Sequence, residues 1–257
     1  MIHPTAVVHA SAKVPSSCTI GPYCVIGEGV ELGENCDLQS HVVIKGPAKI
    51  GSQNRISAFV SIGGDPQDLK YKGEKTRLEI GDRNVIREFV TINRGTTGGG
   101  GVTTVGSDCL FMAYVHIAHD CHVRDHVIMA NNATLAGHVT VEEWATVGAF
   151  SPVHQFARVG AHAYLGGGTI ATQDVLPFSR TSADRDNHAY GVNTIGLQRR
   201  GFSEERIKKL QHAFRTLLRS KLNTTQAIEK LKAEGDLGED VAMLLRFIDE
   251  SERGFIK

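Results

Sequence analysis

A parallel β-helix closed at its C-terminal end by a small helical domain is the mainly β fold that this sequence predicts. Three observations predict it. Aliphatic residues recur every six positions from Ile2 to Leu165, glycine follows them more often than chance allows, and beyond Ser203 the apolar period becomes helical.

The hexad series begins at Ile2 and runs through Val8, Val14 and Ile20 as far as Ile62. It resumes in phase at Ile80, Ile86 and Ile92 and, shifted by one, continues from Val105 to Leu165, with only Phe111 and Met129 departing from the aliphatic type. Of these 25 positions ten are followed directly by Gly, where the overall frequency of 28 in 257 would place about three. A hexad suits neither an amphipathic helix nor a simple alternating strand. It suits a short strand and a corner: the aliphatic side chain points inward, Gly gives the corner its backbone freedom, and three sides close a coil of about 18 residues.

Residues 63–79 and 93–104 interrupt the coil as polar, glycine-bearing loops, the kind of excursion on which a solenoid carries its binding function. The pattern fades after Leu165, and residues 172–194 read as irregular. Ile207, Leu210, Phe214, Leu217 and Leu218 then lie at helical spacing behind Ser203, a good N-cap, with Glu204 and Glu205 in the first turn. Further helices are expected over 225–231 and across Val241, Leu244, Leu245 and Ile248. The domains expected are a coil, residues 1–190, and a helical domain, residues 191–257, that shields the last coil's open edge.

Composition narrows the function. Lys and Arg total 28 and so do Asp and Glu, a neutral balance that argues against nucleic-acid binding. The five cysteines are odd in number and form no CxxC pair, so they read as small buried residues of a reducing compartment. No secretory signal and no transmembrane segment is expected, which makes the protein cytoplasmic.

Six of the twelve histidines fall between His116 and His154. Ile117, Leu135 and Val153 are spaced by 18 residues and should stack on one side of the coil. His154, His119 and His138 follow them at one, two and three positions, and Asp120 falls in register with His138. Three histidines and a carboxylate at one edge suit either a metal site or acid–base catalysis. A linear stack imposes no tetrahedral set, and adjacent His119–Asp120 supplies a base and the anion that orients it. The expectation is therefore acid–base work with no metal and no cofactor.

The stretches QDLKYKGEKTR (67–77), VHIAHDC (115–121), NNATLAGHV (131–139), VHQF (153–156), GAH (160–162) and LQRRGF (197–202) resemble the UDP-N-acetylglucosamine acyltransferases over the whole chain. The resemblance implies a left-handed coil, a homotrimer and active sites between subunits. It implies transfer of an (R)-3-hydroxyacyl group from acyl carrier protein to the glucosamine 3-hydroxyl of UDP-GlcNAc, the first step of lipid A biosynthesis. By matching position it makes His119 the general base, Asp120 its orienting carboxylate and the Gly137 N–H the oxyanion donor. It gives Asp68, Lys70, His116, His138, His154, Gln155, Asn193, Arg199 and Arg200 to the nucleotide sugar or the acyl-pantetheine, the arginines suiting a diphosphate. Gly167 matches the position that sets acyl length, where Gly leaves room for a longer chain of the 3-hydroxymyristoyl kind. Two residues depart from the family pattern: Asn93, where histidine is frequent, and Ile195, where an acid is.

Eight Lys and Arg residues between Arg199 and Lys221 would form a basic surface able to steer an acidic carrier protein. Among alternatives, the sister N-acyltransferase of the same pathway usually carries a uridine-binding domain ahead of its coil, and here the hexads begin at Ile2. A zinc-dependent β-helical carbonic anhydrase would need a His-x4-His pair, which His116, His119, His122 and His126 do not form.

Overall fold

Short parallel strands, most of them two residues long, stack in register at a spacing of one coil: Ile26 pairs with Ile44, Ile117 with Leu135 and Leu135 with Val153. The computed structural model describes residues 1–182 and 188–257. Among these residues the stacks form three sheets of eight, seven and ten strands, the three walls of a left-handed parallel β-helix. The eight-stranded wall runs from Val7–Val8 to Pro152–Val153, the seven-stranded wall from Val30–Leu32 to Arg158–Val159, and the ten-stranded wall begins at Thr19–Ile20. Inward residues from Ile20 to Leu165 are buried, and each contributes about 1.5–3 kcal/mol by leaving water. Ile2 is 48% exposed, because it sits on the outermost coil with no neighbour beyond it.

The corners follow one rule that the sequence pattern obscured. Three residues after most inward residues from Ile20 onward the backbone is left-handed, and the residue there is seldom Gly: Tyr23, Phe59, Asp120, His138 and Phe156 all have φ near +60°. The glycines directly after the inward residues mostly have ordinary φ, so conformational freedom is not their purpose. A Cβ at Gly21 would lie 2.7 Å from the Gln39 backbone and one at Gly33 2.6 Å from Gly51, so these glycines let successive coils approach. The position after each left-handed residue holds a small buried side chain. Cys24, Cys36, Cys109 and Cys121 occupy it; all five cysteines are free, and Cys18, Cys36 and Cys121 donate Sγ–H to carbonyls of the next coil. Burial pushes the Cys109 and Cys121 thiols up to about 12, which keeps them protonated and inert.

The coil continues past Leu165. Ala171 and Val175 bridge to Val153 and Val159, and Ser179–Ser182 joins the ten-stranded wall in parallel. His188–Val192 then pairs antiparallel with that strand, so part of the expected irregular segment is a hairpin. Residues 183–187 of the segment lie outside the described residues. Four helices follow among the described residues: α1 (Thr194–Arg199), α2 (Glu204–Arg219), α3 (Thr224–Ala233) and α4 (Gly238–Asp249). Ser203 caps α2 by accepting the Arg206 N–H, and Asn223 with Gln226 makes a capping box on α3. The six-residue α1 is too short to leave a periodic signal. One apolar cluster fills the coil as far as Val175 and takes in Ile256, and a second unites Leu176 and Phe178 with the helices.

The helices dock through Arg158, which ion-pairs with Asp174 and lies 4.1 Å over the Phe247 ring, and through His162. The His162 ring stacks on Phe178 and meets Phe202 edge-on at 4.9 Å. Burial first, then the Arg200 charge, pushes its pKa down to about 4. Native His162 is therefore neutral, the unfolded chain binds the extra proton below about pH 6.5, and stability falls as pH drops through that window. In urea titrations the stability lost between pH 7 and pH 5 is expected to shrink by about 2 kcal/mol in His162→Phe, a residue the left-handed corners already accept. An equal loss in the variant would move the acid sensitivity to other groups.

Candidate active site

Each coil has three edges, and the edge that leads from the eight-stranded to the seven-stranded wall collects the reactive residues. Its inward residues include Ile62, Ile92, Ile117, Leu135 and Val153. Both loops leave the coil there. Residues 65–76 join the strands Ser61–Gly64 and Arg77–Ile80, and residues 94–101 join Thr91–Asn93 and Val102–Val105. Just beyond them the same edge carries His119 and Asp120, then Gly137 and His138, then Gln155 and Phe156.

At its centre His119 Nδ1 lies 2.8 Å from Asp120 Oδ2. Asp120 is 1% exposed and fully hydrogen-bonded: Oδ1 accepts the Thr96 N–H at 2.7 Å, and Oδ2 accepts the Thr96 hydroxyl at 2.6 Å as well as His119. A carboxylate held this way stays an acceptor, so His119 carries its proton on Nδ1 and turns the lone pair of Nε2 outward as a base. His138 stands edge-on to His119 at 5.2 Å between centroids, stacks on Phe156 at 4.4 Å and places Nε2 3.7 Å from Asp120. Burial lowers the His138 pKa, against the opposing pull of Asp120. His116 on the adjoining wall accepts or donates with Thr91 at 2.7 Å; burial, reinforced by His119, lowers its pKa too. Both are neutral hydrogen-bonding groups at pH 7.

Ligand atoms of His119, Asp120 and His138 lie within 4.8 Å of one another, close enough to hold a cation. A cation there would compete with Thr96 and His119 for the same two carboxylate oxygens. The donor set suits the orientation of an imidazole better.

Gly137 packs flat against the base. A Cβ at this position would lie 2.6 Å from His119 Cε1 and 2.8 Å from Nε2, and no acceptor among the described residues takes the Gly137 N–H. An uncommitted backbone donor beside a base is the geometry that receives an oxyanion. Since φ at 137 is not left-handed, Gly137→Ala is open to the backbone, and the atoms it crowds most closely are those of the ring. It is expected to lower kcat about thirtyfold with little change in melting temperature, and an unaffected kcat would mean that the ring does not sit there during turnover.

Comparison with known proteins agrees with the fold. The family model described as UDP N-acetylglucosamine O-acyltransferase, domain 2, matches residues 174–256, and the bacterial transferase hexapeptide model matches residues 11–46 and 103–137. The acyl-[acyl-carrier-protein]–UDP-N-acetylglucosamine O-acyltransferase of Xanthomonas euvesicatoria is 48% identical over 257 residues, covering all of this chain and 98% of its own. The chain belongs to the UDP-N-acetylglucosamine O-acyltransferase family. Another member, from Myxococcus xanthus, is 47% identical over 82% of each chain. The crystal structure of the Francisella novicida UDP-N-acetylglucosamine acyltransferase superposes with a TM-score of 0.96 at 42% identity, over all of this chain and 94% of that one. That of the Bacteroides fragilis acyltransferase superposes at 0.97 and 38% identity over the full length of both.

The remaining residues suggested by the acyltransferase resemblance fall in different places. Asp68 and Lys70 lie on the 65–76 loop, where the Asp68 carboxylate accepts the Lys70 N–H at 3.0 Å and its charge acts on His138. His154 is exposed on the same edge and donates to the Gln155 carbonyl at 3.1 Å. Asn193 is committed elsewhere: it caps α1 at Gly196 and donates to the His162 carbonyl. Of the arginine pair, Arg199 is exposed, whereas Arg200 donates through Nη2 to the Trp144 carbonyl at 2.7 Å and lies over that ring. The basic stretch is also partly neutralised, Arg206 by Asp240 and Lys209 by Asp236. Gly167 lies on a different edge, between the ten- and eight-stranded walls. Asn93 is buried against the 65–76 loop through Asp65, and Ile195 is exposed on α1.

Three residues at the site escaped the sequence reading: Thr91, Thr96 and Arg94. Arg94 holds the 65–76 loop by donating to the Gly63 carbonyl and the Tyr71 hydroxyl. The hexad arithmetic contained a signal for them. Each interruption replaces a single corner, and both corners fall one wall after Ile62 and Ile92, in the stack that leads to Ile117.

Proposed function

We propose that this protein moves an (R)-3-hydroxyacyl group from acyl carrier protein to the glucosamine 3-hydroxyl of UDP-GlcNAc, opening lipid A biosynthesis in the cytoplasm. The observation that carries this is His119, aligned by Asp120 at 2.8 Å with Gly137 against its ring. His119 Nε2 takes the proton of the 3-hydroxyl as that oxygen attacks the thioester carbon. The Gly137 N–H holds the oxyanion, the C–S bond breaks on collapse, and the imidazolium returns the proton to the leaving thiolate. Atoms and charge balance without a covalent enzyme intermediate or a cofactor.

Asp68, Lys70, His116, His138, His154 and Gln155, with Asn193, Arg199 and Arg200 from the helical end, are assigned to the nucleotide sugar and the acyl-pantetheine, the arginines suiting phosphate. Two features support a homotrimer with sites between subunits. Gly167 and His119 occupy different edges of one coil, so an acyl chain that meets both must pass from one copy to the next. The Gly167 edge also exposes a column of Tyr23, Phe59, Phe89, Tyr114 and Phe150, an apolar surface suited to a second copy.

Mass spectrometry tests the reaction. Purified protein would receive UDP-GlcNAc and an equimolar mixture of 3-hydroxyacyl carrier proteins with ten, twelve and fourteen carbons. A UDP-3-O-acyl-GlcNAc product is expected. If neither this sugar nor its 3-amino analogue is acylated, the assignment fails.

A further inference from the structure

We propose that Thr96, on the glycine-rich 94–101 loop, is a positioning residue that holds Asp120 and, through it, the base His119; this rests on the reading of His119 as base. Thr96 is the only residue among those described that gives the Asp120 carboxylate two donors, its N–H to Oδ1 and its hydroxyl to Oδ2. Its hydroxyl proton has one direction to take, because Oγ1 also accepts the Gly99 N–H at 3.2 Å. The Asp120 backbone is fixed as well: φ is +59° and its N–H donates to Thr103 Oγ1 at 2.8 Å. Two donors from Thr96 and one from His119 leave the carboxylate a single orientation.

The loop is built for this approach. A Cβ at Gly99 would overlap the Asp120 carboxyl group, so only glycine lets the 3-10 turn Thr97–Gly99 close over it. Gly100 and Gly101 follow with φ of +90° and +81°, and the Gly101 N–H returns to the Thr96 carbonyl at 2.8 Å. The run of four glycines thus folds back on Thr96 and buries it to 9% exposure. A loop that merely bridged two strands would need neither the buried hydroxyl nor the close approach at Gly99.

The test compares Thr96→Val, Thr96→Ala, Thr96→Ser, Asp120→Ala and the Thr96→Val/Asp120→Ala double variant. UDP-GlcNAc and the carrier-protein donor that the wild type uses best serve as substrates, with melting temperature measured beside kinetics. Thr96→Val and Thr96→Ala are expected to lower kcat about thirtyfold, with KM for both substrates changed less than about twofold. Thr96→Ser should return kcat to within about threefold of the wild type, and the double variant should be no slower than Asp120→Ala alone, because the two residues act as one unit. Full kcat in both hydroxyl-free variants would overturn the proposal, and so would losses that multiply in the double variant, the mark of a separate structural effect. If Asp120→Ala itself keeps full kcat, the base reading fails and the proposal with it; if only the Thr96 variants do, the base reading stands alone.

Discussion

Replacement of His119 by alanine is expected to lower kcat about 10³-fold while the protein folds and assembles as before. The ring stands at a corner outside the coil core, with its side chain 14% exposed, so its loss opens no cavity among the inward aliphatic residues. What disappears is the acceptor for the proton of the sugar hydroxyl and the donor to the thiolate. Among the described residues His138 is the only other imidazole within 4 Å of the Asp120 carboxylate, and geometry ranks it second. Its Nε2 is 3.7 Å from the carboxylate against 2.8 Å for His119 Nδ1, and burial depresses its proton affinity. His138→Ala is therefore expected to cost about tenfold, by loss of substrate contact rather than of the base. Steady-state kinetics on both variants, with melting temperatures as the folding control, decide the ranking. A His119→Ala enzyme that keeps more than about a tenth of wild-type kcat, or a His138→Ala enzyme that loses more, would reverse it.

The walls of the coil were legible in the sequence because each hexad contributes one inward aliphatic residue to one wall, a period no helix or ordinary strand produces. The stacking of Ile117, Leu135 and Val153, and with it the meeting of Asp120 and His138, follows from that period and an 18-residue coil. Corners were harder to read. Side chains from Tyr23 to Phe156 tolerate left-handed φ there, so Gly marks close approach between coils instead of the bend itself. The hairpin of Ser179–Ser182 and His188–Val192 has no hexad because it pairs antiparallel at the end of a wall. Arg200 and Asn193 show the limit of placement by motif. Both also hold the place where the helices meet the coil, through Trp144, Gly196 and His162, contacts that no motif announces. The site's second layer was hidden because Thr96 and Arg94 act from loops, whose path depends on which edge they leave.

Methionine at position 167 is expected to invert the acyl preference. Gly167 is exposed and its φ is not left-handed, and a Cβ there would meet nothing closer than the Ala149 carbonyl at 3.3 Å. A side chain at 167 therefore fits the backbone with a shift of a few tenths of an ångström and projects away from the coil core. In the trimer reading that space holds the distal end of the acyl chain. Each methylene kept out of an apolar groove costs about 0.8 kcal/mol, so excluding four carbons costs the longest donor about 3 kcal/mol. The ratio of kcat/KM for fourteen-carbon over ten-carbon donors should then fall on the order of 10²-fold. Turnover of the ten-carbon donor should hold, because the base, its carboxylate and the oxyanion donor lie on another edge. Gly167→Ala, with one added carbon, should fall between the two. An unchanged ratio in the methionine variant would mean that the chain runs elsewhere, and the case for a site shared between copies would lose the residue that links the two edges.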